Sequence, residues 1–180
     1  MLVVDNGSVY TDSIIESLDL YGIQHRRIPF DRLTEGDIAS GGHVILSGRR
    51  RNDPTMNATN SRLVRLCLGE KRPLLGICYG AEILAITLGG TIKKMEGHRQ
   101  GLRTAQVVRD NPLCSGKIEV FESHSYKVAS ADEKFEILAS SDECKFEAFR
   151  YGDTSIFGTQ FHPEMSSDGR EILRRFSEIK

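Results

Sequence analysis

The spacing of apolar and polar positions changes along this chain, and the change divides it in two. Residues 2–5 form a short apolar run ending at Asn6-Gly7, the pattern of a strand followed by a turn. Ile14, Ile15, Leu18 and Tyr21 then recur at helical spacing, with Gly22 where a helix stops. Residues 24–28 predict a second strand closed by Pro29, and residues 43–46 a third that runs into Ser47-Gly48. Leu63, Val64, Cys67 and Leu68 mark one face of another helix, ending near Gly69. Residues 73–77 are apolar throughout, as in a strand buried on both faces. Residues 82–88 predict the next helix, closed by Gly89-Gly90. Strands and helices alternating at this spacing predict a central, mainly parallel sheet with helices on both faces.

Beyond residue 100 the helical spacing gives way. Residues 102–108, 117–121, 135–140, 145–151 and 155–161 read as short strands, an antiparallel section added to the same sheet. A last amphipathic helix is predicted at 168–179 through Ile172, Leu173, Phe176 and Ile179. The sequence shows no internal repeat, low-complexity segment or Pro/Ser-rich linker, so a single α/β domain over residues 1–180 is expected.

Composition narrows the choice of function. Lys and Arg number 24 against 25 Asp and Glu, so the chain lacks the basic excess of a dedicated nucleic-acid binder. The most apolar stretch, 73–90, carries Glu82 and four glycines and reads as strand plus helix, not a membrane span. The N-terminus opens into a strand without a basic segment and long apolar run. The four cysteines, Cys67, Cys78, Cys114 and Cys144, are scattered without zinc-finger or C-x-x-C spacing. Free thiols in a reducing cytoplasm, with no metal site, no nucleic acid and no membrane partner, are the expectation.

One segment carries the sharpest chemistry. At Gly76-Ile77-Cys78-Tyr79-Gly80 an apolar strand meets a helix across Gly-x-Cys-x-Gly, the thiol counterpart of a nucleophile elbow. Glycines relieve crowding in such a sharp turn and tolerate strained backbone, and a helix N-terminus favours a thiolate. The competing reading is a buried structural cysteine. A thiol nucleophile needs a base, and the base needs an orienting group. Of five histidines, His25 and His43 lie in or beside strands and read as structural, and His98 falls in a polar loop. His162 follows the strand at 155–161 and is followed by Pro163-Glu164. A strand end delivering His-Pro-Glu can aim an imidazole and a carboxylate at one point.

Gly76-Ile77-Cys78-Tyr79-Gly80, followed far downstream by Gly158-Thr159-Gln160-Phe161-His162-Pro163-Glu164, resembles the class I (triad) glutamine amidotransferases over essentially the whole chain. The resemblance implies their three-layer α/β fold. It also implies a Cys78–His162–Glu164 triad, and an oxyanion hole from the backbone N–H groups of Gly48 and Tyr79. Within the family, Val4-Asp5-Asn6-Gly7, Ser123-His124-Ser125-Tyr126-Lys127-Val128 and residues 135–139 and 141–144 are similar to the separate glutaminase subunit of two-chain GMP synthases. That similarity implies L-glutamine as substrate and ammonia as the product handed on. It implies a partner ATP-pyrophosphatase subunit that uses ATP and Mg²⁺ on xanthosine 5′-phosphate. No cofactor is expected in this chain, which lacks a Gly-rich phosphate loop. Glutaminase subunits of anthranilate or carbamoyl-phosphate type, and a non-catalytic protein keeping the fold, are the alternatives.

The chain departs from the family at three places. Ser47-Gly48-Arg49 replaces Ser-Gly-Gly, Glu82 stands where Gln is usual, and Tyr126 stands where GMP synthases carry Asp. Arg49 would be awkward if the second Gly uses positive φ. Glu82 and Arg49 would both lie at the pocket mouth, so either they form an ion pair or Arg49 points to solvent with Glu82 at the rim. His124, Ser125 and Tyr126 complete the expected pocket, with an interface role or a polar loop position as the other readings of His124. The run Arg49-Arg50-Arg51 reads as a solvated loop or a docking face for the partner subunit.

Overall fold

The computed structural model describes residues 1–130 and 132–180. The elements follow in the order β1 (Leu2–Asn6), α1 (Thr11–Leu20), β2 (Arg26–Pro29), α2 (Glu35–Ala39), β3 (Val44–Arg49), α3 (Pro54–Gly69), β4 (Leu74–Ile77) and α4 (Tyr79–Thr87). The second half holds β5 (Thr91–Val107), β6 (Lys117–Ser130), β7 (Phe135–Ser140), β8 (Ala148–Tyr151), β9 (Ile156–Thr159) and α5 (Ser167–Ser177). The described strands join one nine-stranded sheet in the order β2-β1-β3-β4-β9-β8-β7-β5-β6. The first five positions are parallel, and β9–β8 begins the antiparallel part.

The parallel part is buried on both faces because neighbouring side chains on each strand point oppositely. Leu2, Val4, Val44, Leu46 and Leu74 pack on one side with Met56, Leu63 and Val64 of α3 and with Leu84 of α4. Val3, Ile45, Leu75 and Ile77 pack on the other with Ile14 and Leu18 of α1 and with Ile172, Leu173 and Phe176 of α5. Helix ends follow local chemistry. Asp53 caps α3 by accepting from the Met56 N–H at 3.0 Å, and Pro54 takes the first helical position. Ser166 caps α5 through the Gly169 N–H at 3.1 Å.

The antiparallel half differs from the sequence expectation. The short strands expected at 102–108 and 117–121 are parts of a long ribbon, β5 with β6, paired from Thr91↔Ser130 to Gln106↔Lys117. The start of β5 carries Lys93, Lys94, Glu96 and His98, all exposed, so no apolar alternation marks it. Its strand conformation comes from the ladder to β6. His98 therefore lies on a strand, not in a loop. The strand expected from 145 starts at Ala148, the helix expected from 82 starts at Tyr79, and the final helix runs Ser167–Ser177. The five-residue α2 is too short to show a helical period, and a Thr34–Asp37 capping box forms it. No described helix is long and apolar enough to cross a membrane.

Candidate active site

β3, β4 and β9 are neighbours, and the C-terminal end of each delivers expected site residues. Parallel sheets open their ligand crevices at this end. Cys78 follows β4, and its N–H donates to the Thr159 carbonyl at 2.7 Å, tying the turn to β9. Its backbone has φ 52° and ψ −105°. Strain of this kind costs on the order of 1–3 kcal/mol and holds a side chain outside regular strand or helix geometry. The strain thus falls on the cysteine and not on its flanking glycines. Gly76 and Gly80 serve close approach instead. A Cβ on Gly76 would lie 2.4 Å from the Gly80 carbonyl oxygen, and one on Gly80 would lie 2.3 Å from that of Leu46.

His162 leaves the end of β9, where its N–H donates to the Phe121 carbonyl at 2.8 Å. Pro163–Met165 form a 3₁₀ turn that folds Glu164 back onto the ring. His162 Nδ1 lies 2.8 Å from Glu164 Oε1, and both residues are buried. A carboxylate oxygen accepts, so Nδ1 carries the hydrogen and Nε2 is left for the Cys78 side. Burial alone would depress this imidazole, but the Glu164 charge and hydrogen bonding to Cys78 and Glu164 raise it well above the ordinary value. Among the described residues Cys67 and Cys144 have no such base, and burial pushes them up to about 11 and about 12. Cys114 is likewise buried and raised by burial. His25 and His43 lie outside the cleft. The ring of His43 instead contacts the Ile179 carbonyl at 2.8 Å and the Phe176 ring.

Gly48 sits directly against the imidazole, since a Cβ there would be 3.2 Å from His162 Cε1. Arg49 is the last residue of β3 and has no positive φ, so replacing a glycine there brings no backbone strain. Its guanidinium lies over the Tyr79 ring, 4.1 Å from the centroid, and donates to Asn52 and to Asn57 Oδ1. It makes no ion pair with Glu82 among the described residues, which corrects one of the two expected arrangements. The other is corrected too. Glu82 is buried at 5% exposure in the first turn of α4, not at the rim. Burial raises its carboxyl above the ordinary range, while the Arg49 charge, the Gln160 amide and His124 pull it back.

The cleft beside Cys78 encloses about 540 Å³ and is lined by Arg49, Tyr79, Glu82, His124, Ser125 and Tyr126 among others. All the pocket candidates from the sequence therefore meet there. His98 and Ser123 join them, with His98 Nδ1 3.1 Å from Ser125 Oγ. Sequence reasoning missed Tyr10, whose ring centroid is 4.6 Å from that of His162 and whose hydroxyl donates to Ser123 Oγ at 3.2 Å. It also missed an amide network under the Ser47-Gly48 turn. The Asn6 N–H donates to Ser47 Oγ at 2.9 Å, and Asn60 Nδ2 to Asn6 Oδ1 at 2.8 Å. Buried asparagines at 6 and 60 were the available signal, because a buried amide needs partners.

Fold and site together define an α/β protein with a Cys–His–Glu constellation at the C-terminal edge of its parallel sheet. The chain belongs to the class-I glutamine amidotransferase family, whose model matches residues 2–179. A glutamine-hydrolyzing GMP synthase subunit of Methanocaldococcus jannaschii is 32% identical, covering 99% of this chain and 96% of its own. The corresponding GMP synthase subunit of Pyrococcus furiosus is 31% identical, covering 99% and 97%. A candidate GMP synthase subunit from Thermoplasma acidophilum superposes with a TM-score of 0.87 at 26% identity, covering 98% of this chain and 91% of its own.

Proposed function

We propose that this chain is the glutamine-hydrolysing subunit of a two-chain GMP synthase, with Cys78, His162 and Glu164 as its catalytic residues. The observation that carries the reading is Cys78 at a strained strand-to-helix turn, facing an imidazole that Glu164 orients. In this reading Cys78 Sγ attacks the side-chain amide carbon of L-glutamine bound in the cleft. His162 Nε2 takes the thiol proton and returns it to the departing ammonia, leaving a thioester on Cys78. Water, deprotonated by His162, then attacks the thioester, releasing glutamate and restoring the thiol. Glu164 holds the imidazole tautomer and offsets its positive charge. The Tyr79 N–H at the start of α4 and the Gly48 N–H stabilise the oxyanion.

Glu82, Arg49, His124, Ser125 and Tyr126 form the pocket for the rest of the substrate. Ammonia passes un-ionised to an ATP-pyrophosphatase partner, which binds ATP, Mg²⁺ and xanthosine 5′-phosphate. Exposed Arg50 and Arg51 beside the cleft suit the docking face. The setting is the cytoplasm, where the thiol stays reduced. The test is ammonia and glutamate release from glutamine by the chain with its synthetase partner, followed by amination of xanthosine 5′-phosphate. Both should vanish in Cys78→Ala. Release without amination, or amination of chorismate with an anthranilate-type partner, would defeat the GMP synthase reading.

A further inference from the structure

The antiparallel half of the sheet buries an ionisable cluster that the thiol chemistry does not use. Glu122 on β6 and Glu147, one residue ahead of β8, are both fully buried. The two carboxyls lie close enough to act directly on each other. An ionised carboxyl only accepts, so two of them in contact leave their facing oxygens without a donor. Glu122 Oε1 and Glu147 Oε2 have no hydrogen-bond donor among the described residues. One proton held between the carboxyls satisfies both oxygens and removes one of two buried like charges.

The surroundings decide which carboxyl keeps its charge. Arg99 Nε on β5 lies 2.7 Å from Glu122 Oε2, and His124 Nε2 lies 3.5 Å from the same oxygen. Neither contact is aligned as a hydrogen bond. Arg99 also reaches outward to Glu143 at 3.0 Å, and the Lys127 ammonium donates to the Glu143 carbonyl. Glu147 has a neutral immediate partner, accepting from Ser141 Oγ at 2.7 Å, with the Cys144 thiol nearby and Arg99 as its more distant cation. Burial and the Glu122 charge push Glu147 up to about 8. Burial works against the Glu122 charge too, yet His124, Glu147 and Arg99 hold it below the ordinary range.

Residues 121–124 run past the reacting groups. The Phe121 carbonyl holds the His162 N–H, the Ser123 carbonyl lies 3.9 Å from Cys78 Sγ, and the His124 ring is pinned by Nδ1 at 2.8 Å from the Tyr126 carbonyl. We propose that Glu122 and Glu147 share a single proton and thereby hold this wall of the cleft in register, which makes Glu122 a positioning residue for Cys78. The proposal rests on the glutaminase reading for its consequence, but the pair can be observed without it.

The experiment compares the full chain with Glu147→Gln, which keeps a neutral donor, and Glu122→Gln, which removes the anion. Infrared difference spectra from pH 6 to 10 should show a protonated-carboxyl band lost around pH 8 in the wild type. That band should be absent from Glu147→Gln. The rate of iodoacetamide alkylation at Cys78, resolved by peptide mass spectrometry, reports the wall independently of glutamine turnover. Its pH profile should diverge from that of Glu147→Gln above pH 8. With glutamine, the ratio of kcat/KM for Glu147→Gln to wild type should rise by up to about tenfold from pH 7 to pH 9, as the shared proton is lost. Glu122→Gln should lose about tenfold to a hundredfold at every pH, as misplaced reacting groups do. If the band is missing, or if the alkylation profiles of wild type and Glu147→Gln run parallel, the proposal fails. If both hold while the wild type releases no ammonia, the glutaminase reading fails and the pair stands.

Discussion

Gly80 offers the most exacting test of how Cys78 is held. An alanine Cβ there would sit 2.3 Å from the Leu46 carbonyl oxygen and 3.0 Å from the Leu46 Cβ. Ordinary contact begins near 3.4 Å, so the overlap is about 1 Å and its partner is backbone of the buried strand β3. Two effects oppose each other. Alanine is the better helix former by about 1 kcal/mol. Overpacking a well-filled site costs about 1–3 kcal/mol, more when a flexible side chain cannot yield. The overlap should win, with a net loss of about 1–2 kcal/mol and a Tm lower by about 4 °C for a chain of this size. Activity should suffer more, because relieving the overlap moves the first turn of α4 away from β3 and carries Cys78 with it. A displacement near 1 Å is worth about a hundredfold in rate. Urea unfolding and ammonia release from glutamine measure the two quantities. Gly69→Ala is the control, since a Cβ at the end of α3 meets nothing within 4 Å and the gain in propensity should appear alone. Unchanged stability and activity in Gly80→Ala would refute the close helix–strand contact as the device that positions the thiol.

Other outcomes follow from the same geometry. Cys78→Gly should abolish ammonia release yet unfold at a higher temperature, because glycine accepts φ 52° and the strain of about 1–3 kcal/mol outweighs its chain-entropy cost. Glu164→Gln should keep the fold in circular dichroism while lowering kcat by about 10³–10⁴, as losing the orienting acid does in other triads. The raised His162 value makes the Glu164 contribution to stability greatest below the unfolded imidazole value, so the stability gap to Glu164→Gln should shrink as urea melts move up from pH 6.5. Glu82→Gln should gain on the wild type as pH rises above 4.5, since the buried carboxyl is raised and resists ionising. Arg49→Ala should lose about 1 kcal/mol in unfolding experiments through the contact with Tyr79.

Local pattern alone carried much of this protein. Apolar runs at 2–5, 43–46 and 73–77, each followed by a helical stripe, marked three of the five parallel strands, because strands covered on both faces are mostly apolar; the run at 155–161, expected in the antiparallel section, instead pairs parallel to β4 as β9. Gly-x-Cys-x-Gly and His-Pro-Glu determined the Cys78, His162 and Glu164 that meet in the cleft, because a sharp turn and a strand end place side chains by backbone geometry that neighbours dictate. The rest needed the third dimension. The exposed start of β5 is a strand only because β6 pairs with it, and solvent leaves no periodic mark on such a segment. Arg49 turns to Tyr79 instead of Glu82 because the ring beside it, at the start of α4, lies under its guanidinium. Arg99, Glu122 and Glu147 come from three separate segments: pairing of β5 with β6 brings Arg99 to Glu122, and the tertiary packing brings Glu147 to them. The shifts of the two carboxyls follow from burial and from their charged neighbours, quantities set by tertiary packing and not by chain neighbours.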